Sequence, residues 1–225
     1  MSKQSKKSVA PGVEKEKTGP KAPEIVHVDC IVFDDFETLD LFGPVEIFGK
    51  IDGVKVRMYS RKGGVVKSRQ GTRIKTKPFS AVKKGGVVLL PGGQGTRALI
   101  DDEKWLQAFK TVAERSRWCL TVCTGSALLA KTGLLTGLRA TSNKKAFDWA
   151  VEASATSETV RWQNKARWCA DGKYYTSSGV SAGIDMALGF VADRLGVVRA
   201  QQIADHIEYL WNRNPERDPF APREA

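Results

Sequence analysis

Histidine is nearly absent from this sequence, because the 225 residues contain only His27 and His206. A nucleophilic cysteine commonly takes its activating base from a histidine. His27 lies inside an apolar stretch, and His206 lies near the end of the chain. Neither is an obvious partner for a catalytic residue, so we interpret both as structural.

Cysteine is also scarce, and the spacing of the four residues matches no disulfide framework. They are Cys30, Cys119, Cys123 and Cys169. The C-x3-C pair has no histidine pair near it, which disfavours a zinc site, so no metal is expected. Free thiols are typical of a reducing compartment, and we predict a cytoplasmic protein.

Long apolar runs are missing as well, which disfavours a membrane span and a secretory signal. Residues 1–24 are polar, proline-containing and rich in lysine, which is typical of a disordered basic N-terminal tail. Residues 25–211 form one predicted α/β domain. Residues 212–225 contain three prolines and are predicted to be an irregular C-terminal tail.

Acidic residues are absent from 55–84, a segment that contributes much of the net charge of +11. Basic residues there recur at every second position, which indicates one solvent-facing side of a strand. They are Lys67, Arg69, Arg73, Lys75 and Lys77. A sheet edge protected by charge is the favoured interpretation. A nucleic-acid surface is the alternative, but no aromatic residues interleave for stacking, so no nucleic-acid partner is expected.

Short apolar segments alternate with amphipathic ones through most of the chain, which predicts a mostly parallel sheet with helices on both faces. In such sheets, active sites lie at the carboxyl ends of the strands. Three features come after predicted strands: Asp40 after Ile25–Phe33 and the acidic loop that follows it, Gly92 and Gly93 after Gly86–Leu90, and Cys123 after Trp118–Val122. Their convergence predicts a site at one edge of the sheet.

Cys123 stands where the apolar strand Trp118–Val122 gives way to a predicted helix over Gly125–Lys131. A strand, a nucleophile and a helix in this order form a nucleophile elbow. The helix N-terminus favours negative charge, so the thiol pKa is expected to fall below its usual value of about 8.5 and a thiolate is expected at neutral pH. The alternative is that Cys123 is only a small buried hydrophobe.

Small residues surround the candidate nucleophile. Thr124 and Gly125 lack bulk, so the backbone behind the sulfur has room to approach a substrate. Gly92 and Gly93 end the middle strand and expose backbone N–H groups. The N–H groups of Gly93 and Thr124 are predicted to form an oxyanion hole.

Asp40 is the predicted general acid or base, next to the sulfur. The alternative is that Asp40 is the N-cap of a helix that begins at Leu41. Glu46 is a weaker candidate, because it lies on roughly the opposite side of the same helix. The site is therefore predicted to use a cysteine, a carboxylate and Thr124 rather than a Cys–His–acid triad.

Five segments together resemble the ThiJ/PfpI family of the class I glutamine-amidotransferase-like superfamily. They are Leu39–Glu46, Leu90–Gly93, Val122–Ser126, Arg139–Asn143 and Thr176–Asp185. The resemblance implies a flavodoxin-like three-layer sandwich, a homodimer and a small-molecule substrate, with no metal or organic cofactor. The Asp-Leu-x-Gly-Pro and Cys-Thr-Gly segments are most similar to the isonitrile hydratase branch, which converts an isonitrile and water into an N-substituted formamide. In that branch the functional positions match Cys123, Asp40 and Thr124, with a thioimidate on the cysteine.

Asn143 departs from the family pattern, since many relatives have a histidine at this place. The departure weakens protease and glyoxalase interpretations, although a glyoxalase or deglycase acting on methylglyoxal stays an alternative. A non-enzymatic domain in which Cys123 senses oxidants is another. Asn143 itself is predicted either to bind substrate or to cap the helix that follows it.

Overall fold

Six parallel strands form the middle of an eight-stranded sheet, with one antiparallel strand at each edge. The computed structural model describes residues 25–155 and 159–222. The predicted tail over 1–24 lies outside the described residues. The strands are β1 His27–Ile31, β2 Lys55–Ser60, β3 Lys62–Lys67, β4 Arg73–Pro78, β5 Val87–Leu90, β6 Trp118–Val122, β7 Arg139–Ala140, β8 Arg161–Trp162, β9 Trp168–Asp171 and β10 Tyr174–Ser177. The sheet order is β3-β4-β2-β1-β5-β6-β10-β9, and β7 pairs with β8 separately.

The described helices form two groups, α1 with α6 and α7, and α2 with α3, α4 and α5. They are α1 Thr38–Gly49, α2 Thr96–Leu99, α3 Glu103–Arg115, α4 Gly125–Lys131, α5 Phe147–Ala153, α6 Ala182–Leu195 and α7 Val197–His206. Short 3-10 turns cover Phe79–Ala81 and Lys144–Ala146. The mostly parallel sheet surrounded by helices confirms the predicted fold class.

The central strands β1, β5 and β6 are buried along their whole length. β5 is entirely apolar and β6 nearly so, whereas β1 also contains His27 and Asp29. A mainly apolar composition is typical of parallel strands covered on both faces. Separate aromatic clusters support the two helix groups. Phe190 of α6 contacts Phe48, Trp118 and Tyr175, whereas Trp105 of α3 contacts Phe33, Phe79 and Phe109.

The end of the last helix differs from what the sequence pattern predicts. The pattern over 198–211 predicts a helix that runs to Trp211, but α7 ends at His206. Glu208 has a φ of +54°, which turns the chain out of the helix. The turn lets the Tyr209 hydroxyl and the Trp211 indole donate to Asp185, at 3.1 and 3.3 Å. Tertiary hydrogen bonds thus end a helix that local periodicity alone would extend.

The basic segment forms a hairpin, in which β3 is the edge strand and β4 pairs with it antiparallel. The turn contains Gly71, whose φ is +93°. The alternating basic side chains of this hairpin are exposed. This agrees with a charged, solvated sheet edge.

Residues 212–222 have no helix or strand, and they pack against the domain. The carbonyl of Pro215 accepts from the N–H groups of Arg167 and Trp168, at 2.7 and 3.2 Å. The Asp218 side chain is buried and lies 3.5 Å from the Arg167 guanidinium. No helix of the described part of the chain is long and apolar enough to cross a membrane.

Candidate active site

Cys123 sits at the sharp turn between β6 and α4, with a φ of +57°. A non-glycine residue in this left-handed region costs on the order of 1–3 kcal/mol. Four hydrogen bonds hold the turn. The Cys123 N–H donates to the carbonyls of Ser177 and Ser178, both at 3.1 Å, and its carbonyl accepts from Ser126 and Ser142 at 2.9 and 3.1 Å. The predicted elbow is therefore formed and is fixed by its surroundings.

Asp40 approaches the sulfur from α1, as β1 and β6 lie on the two sides of β5 in the sheet. Its side chain is fully buried, and its carboxyl group faces the Cys123 thiol. Its Oδ2 accepts from Gly92 N–H at 2.9 Å. The helix begins at Thr38 and Glu37 occupies the N-cap position, so the alternative in which Asp40 caps a helix from Leu41 is wrong. The Asp40 carboxyl is therefore not used as a helix cap and is available to exchange a proton with the thiol.

Burial controls the protonation of this pair. It raises the pKa of Asp40 to about 7, with help from the charge of Glu37 and against the Gly92 N–H. It also raises the pKa of the Cys123 thiol well above its usual value, and the Asp40 charge adds to this. The expected thiolate is therefore wrong for the resting protein. Thr124 N–H at the helix start does favour the anion, but desolvation is larger.

Thr124 is buried, and its N–H donates toward the sulfur. Its hydroxyl oxygen accepts from Gly93 N–H and from the Thr96 hydroxyl, both at 3.1 Å. The Gly93 N–H predicted for an oxyanion hole is thus already bonded within the protein. Of the two predicted donors, it is Thr124 N–H that faces the reacting atom.

Gly92 and Gly125 are needed for close packing around the elbow. A Cβ at Gly92 would lie 2.6 Å from Thr124 N and 2.9 Å from Cys123 Cβ. A Cβ at Gly125 would lie 2.7 Å from the carbonyl oxygen of Pro91. Backbone atoms of the protein itself pack against these two glycines, so the glycines let the elbow and the turn after β5 approach each other closely.

Asn143 contacts both the 3-10 turn that follows it and the Cys123 residue of the elbow. Its Oδ1 accepts from Ala146 N–H at 3.0 Å and so caps the 3-10 turn that leads into α5. Its side chain also hydrogen-bonds with the Cys123 sulfur. A Cβ at Gly179 would overlap the Asn143 amide, so the opposing loop confines its orientation.

A cavity of about 380 Å³ opens beside the site and is lined by Asn143 and Val180, with Phe220 of the C-terminal segment. Val180 also has a left-handed φ, +46°, and its N–H faces the Asp40 carboxyl. Cys123 as a residue is only 6 % exposed. A substrate must therefore be small or slender where it meets the sulfur.

Sequence reasoning missed the Thr96–Arg97 pair and Trp149. Thr96 is buried and bonds the Thr124 hydroxyl, and the Arg97 guanidinium lies 3.5 Å from the centroid of the Trp149 ring. One signal was available: these polar residues directly follow the glycine turn after β5, at the same edge of the sheet as the other features. Trp149, on α5, had no such signal.

Within residues 25–155 and 159–222, no group of three or more His, Cys, Asp or Glu side chains is arranged to hold a metal ion. The site instead consists of a thiol, one carboxyl group and neutral donors. This set supports proton transfer and attack by sulfur on a small electrophile.

Comparison with known proteins places this chain in a family. Residues 26–193 match the model of the DJ-1/PfpI family. An isonitrile hydratase of Pseudomonas putida is 31% identical over 185 residues, which cover 82% of this chain and 78% of that protein. The crystal structure of a ThiJ/PfpI family protein from Pseudomonas syringae superimposes with a TM-score of 0.74 at 28% identity, covering 91% of this chain and 85% of that one. Oxidised DJ-1 of Toxoplasma gondii shares the fold, with a TM-score of 0.68 at 23% identity over 83% of this chain and all of that one. The chain belongs to the DJ-1/PfpI family.

Proposed function

We propose that this protein hydrates isonitriles to N-substituted formamides through a thioimidate on Cys123. The observation that carries the proposal is the buried Asp40 carboxyl, which faces the Cys123 thiol and has a pKa of about 7. A group with this pKa both accepts and returns a proton near neutral pH. The similarity to the Pseudomonas putida isonitrile hydratase supports the choice of substrate.

The first step joins sulfur to the terminal isonitrile carbon. The Asp40 carboxylate takes the thiol proton as the sulfur attacks, and Thr124 N–H and the Asn143 side chain stabilise the developing anion. Asp40 then returns the proton to the same carbon. The product is a neutral thioimidate in which the carbon carries one hydrogen and is doubly bonded to nitrogen.

The second step adds water. The Asp40 carboxylate accepts a proton from the water as its oxygen bonds to the thioimidate carbon, and Asp40 passes that proton to the nitrogen. The carbon–sulfur bond then breaks, the hydroxyl proton moves through Asp40 to the sulfur, and the formamide leaves. The thiol and the carboxylate are regenerated, so the cycle consumes only isonitrile and water.

The two alternatives have less support from the site. Asn143 supplies no proton acceptor where the sequence of many relatives has histidine, which disfavours a glyoxalase or deglycase. The raised pKa of the Cys123 thiol disfavours an oxidant sensor, because the thiolate is the form that oxidants attack.

Activity measurements on two variants test the proposal. Formamide production from a panel of alkyl isonitriles is followed by NMR, with methylglyoxal and small amides as competing substrate classes. Cys123→Ala is expected to lose at least about 10³-fold in kcat/KM, and Asp40→Asn nearly as much, because each removes a partner of the proton transfer. Cys119→Ala is the matched control, since it removes a buried thiol from the same strand and should retain activity.

Formamide production that is unchanged in both variants would overturn the proposal. Release of lactate from methylglyoxal, dependent on Cys123 and without isonitrile turnover, would replace it with the glyoxalase activity.

A further inference from the structure

Arg97 is a half-buried cation with no acidic partner among the residues the structure describes. Burying a charge without a counter-charge costs free energy, so such a residue calls for an explanation. Burial lowers the pKa of Arg97, and the charge that opposes this effect is that of the Cys123 sulfur. The guanidinium therefore lies within electrostatic reach of the candidate nucleophile.

Two contacts hold the guanidinium in place. Its carbon lies 3.5 Å from the centroid of the Trp149 ring, a close cation–π stack. Its Nη1 donates to the Thr96 hydroxyl at 3.0 Å. The side chain is thus fixed from α5 on one side and from its own helix on the other.

A chain of hydrogen bonds connects this guanidinium to the elbow. The Thr96 hydroxyl that accepts from Arg97 bonds the Thr124 hydroxyl at 3.1 Å, and Gly93 N–H donates to that same Thr124 oxygen at 3.1 Å. Thr124 N–H in turn faces the sulfur of Cys123. These contacts connect Arg97 to the Thr124 side chain, which is next in sequence to Cys123.

We propose that Arg97 is a positioning residue of this site, which stabilises the Cys123 sulfur as an anion and fixes the Thr124 donor beside it. The proton balance is simple: the thiol proton passes to the Asp40 carboxylate, which leaves a thiolate, a neutral carboxylic acid and the Arg97 cation. Without Arg97 the buried thiolate would keep the neutral donors Thr124 N–H and the Asn143 side chain but lose this cation. The inference concerns the same site as the proposed function, but its test needs no isonitrile.

The charged and titratable groups that act on Cys123 come from two elements. Asp40 of α1 opposes ionisation, whereas Arg97 of α2 favours it. Lys144 and Lys145 of the 3-10 turn line the cavity beside the site, whereas Asn143 and the loop before α6, which includes Val180, contribute neutral groups there. Removing Arg97 takes away a cation that favours the thiolate and leaves the opposing charge of Asp40 in place, so it should disfavour the thiolate.

Alkylation by iodoacetamide tests this directly, because the thiolate is the reactive form. The rate at Cys123 is measured from pH 6 to 10 by mass spectrometry, and fragment ions separate Cys123 from Cys119 in the same tryptic peptide. Arg97→Met is expected to slow alkylation about tenfold near neutral pH and to displace the rise in rate to higher pH. Arg97→Lys should restore part of the rate, since it keeps the charge but loses the planar stack.

Arg73→Met is the matched control, because it removes the same charge from an exposed position on the basic hairpin and should leave the profile unchanged. A profile of Arg97→Met that superimposes on those of the wild type and of Arg73→Met overturns the inference. If Arg97→Met does not fold, Trp149→Leu decides: a smaller displacement in the same direction supports the inference, and no displacement overturns it. A normal thiol profile in a protein that does not hydrate isonitriles would contradict the proposed function alone.

Discussion

Asp40 and Asp185 are both fully buried, yet the protein surrounds them differently. Oδ2 of Asp185 is 2.7 Å from both Nε and Nη2 of Arg167, and its Oδ1 accepts from the Tyr209 hydroxyl and Asn212 N–H at 3.1 and 3.0 Å. At Asp40, Gly92 N–H donates to Oδ2 at 2.9 Å and Val180 N–H faces the carboxyl. The Oδ1 atom of Asp40 is buried and has no hydrogen-bond partner among the described residues.

The difference separates structural from chemical use of a buried carboxylate. Burial raises the pKa of both groups, but at Asp185 the Arg167 guanidinium opposes it, and no cation does so at Asp40. Asp185 links α6 to Arg167 and to the segment after α7, so it stabilises the fold. Asp40 stays under-satisfied beside a thiol, which is typical of a group that must exchange a proton.

The largest expected effect is on the stability of the protein, when the charge of Asp185 is removed. Asp185→Asn should lower the free energy of unfolding by about 3–5 kcal/mol, because it leaves the buried Arg167 guanidinium without its main counter-charge. Denaturant unfolding followed by circular dichroism measures the change.

Asp193→Asn is the matched control on the same helix. Asp193 is exposed and accepts one hydrogen bond from the Tyr175 hydroxyl, so about 1 kcal/mol or less is expected. If Asp185→Asn costs no more than Asp193→Asn, then Asp185 does not have the structural role assigned to it.

The same substitution at Asp40 should have the opposite effect and raise the free energy of unfolding. The folded pKa of about 7 lies above the unfolded value of 3.8, so ionising Asp40 costs folding free energy as the pH rises between these values. Asp40→Asn should therefore stabilise the protein by about 2–4 kcal/mol above pH 7, and the gain should disappear as the pH falls below 4.

Thermal unfolding at pH 4 and pH 8 measures this gain. Glu46→Gln is its control, because Glu46 lies on the exposed side of α1 and pairs only with Lys50 at 3.0 Å. A variant Asp40→Asn that is less stable than the wild type at pH 8 would show that the carboxylate is not strained in the folded protein.

The position of Asp40 close to Cys123 could be predicted largely from short apolar segments of the sequence. β1, β5 and β6 are recognisable as strands because their sequences are mainly apolar, as expected for strands covered on both faces. Parallel strands of this kind end at the same edge of the sheet, which predicts that Asp40, the Gly92 turn and Cys123 meet there. The elbow is predictable for the same reason, since a strand, a cysteine and small residues follow one another locally.

The protonation states and the supporting contacts were not predictable in this way. A helix N-terminus favours a thiolate, but the depth of burial, a property of the whole fold, reverses the direction at Cys123. Likewise, the stack of Arg97 on Trp149 joins residues far apart in sequence. The end of α7 at His206 depends on Asp185, which lies on another helix.

The smallest expected effect concerns the pH dependence of turnover. Asp40 must be ionised to accept the thiol proton, so kcat/KM for a neutral isonitrile should fall about tenfold per pH unit below about 7. Glu37 raises the pKa of Asp40 through its charge, so Glu37→Gln should move this acid limb to lower pH by a few tenths of a unit. Asp193→Asn removes a charge from a distant exposed position and should leave the limb in place. A flat profile between pH 5.5 and 8 would mean that Asp40 does not take the proton, and then its burial beside Cys123 would resemble the structural role of Asp185 after all.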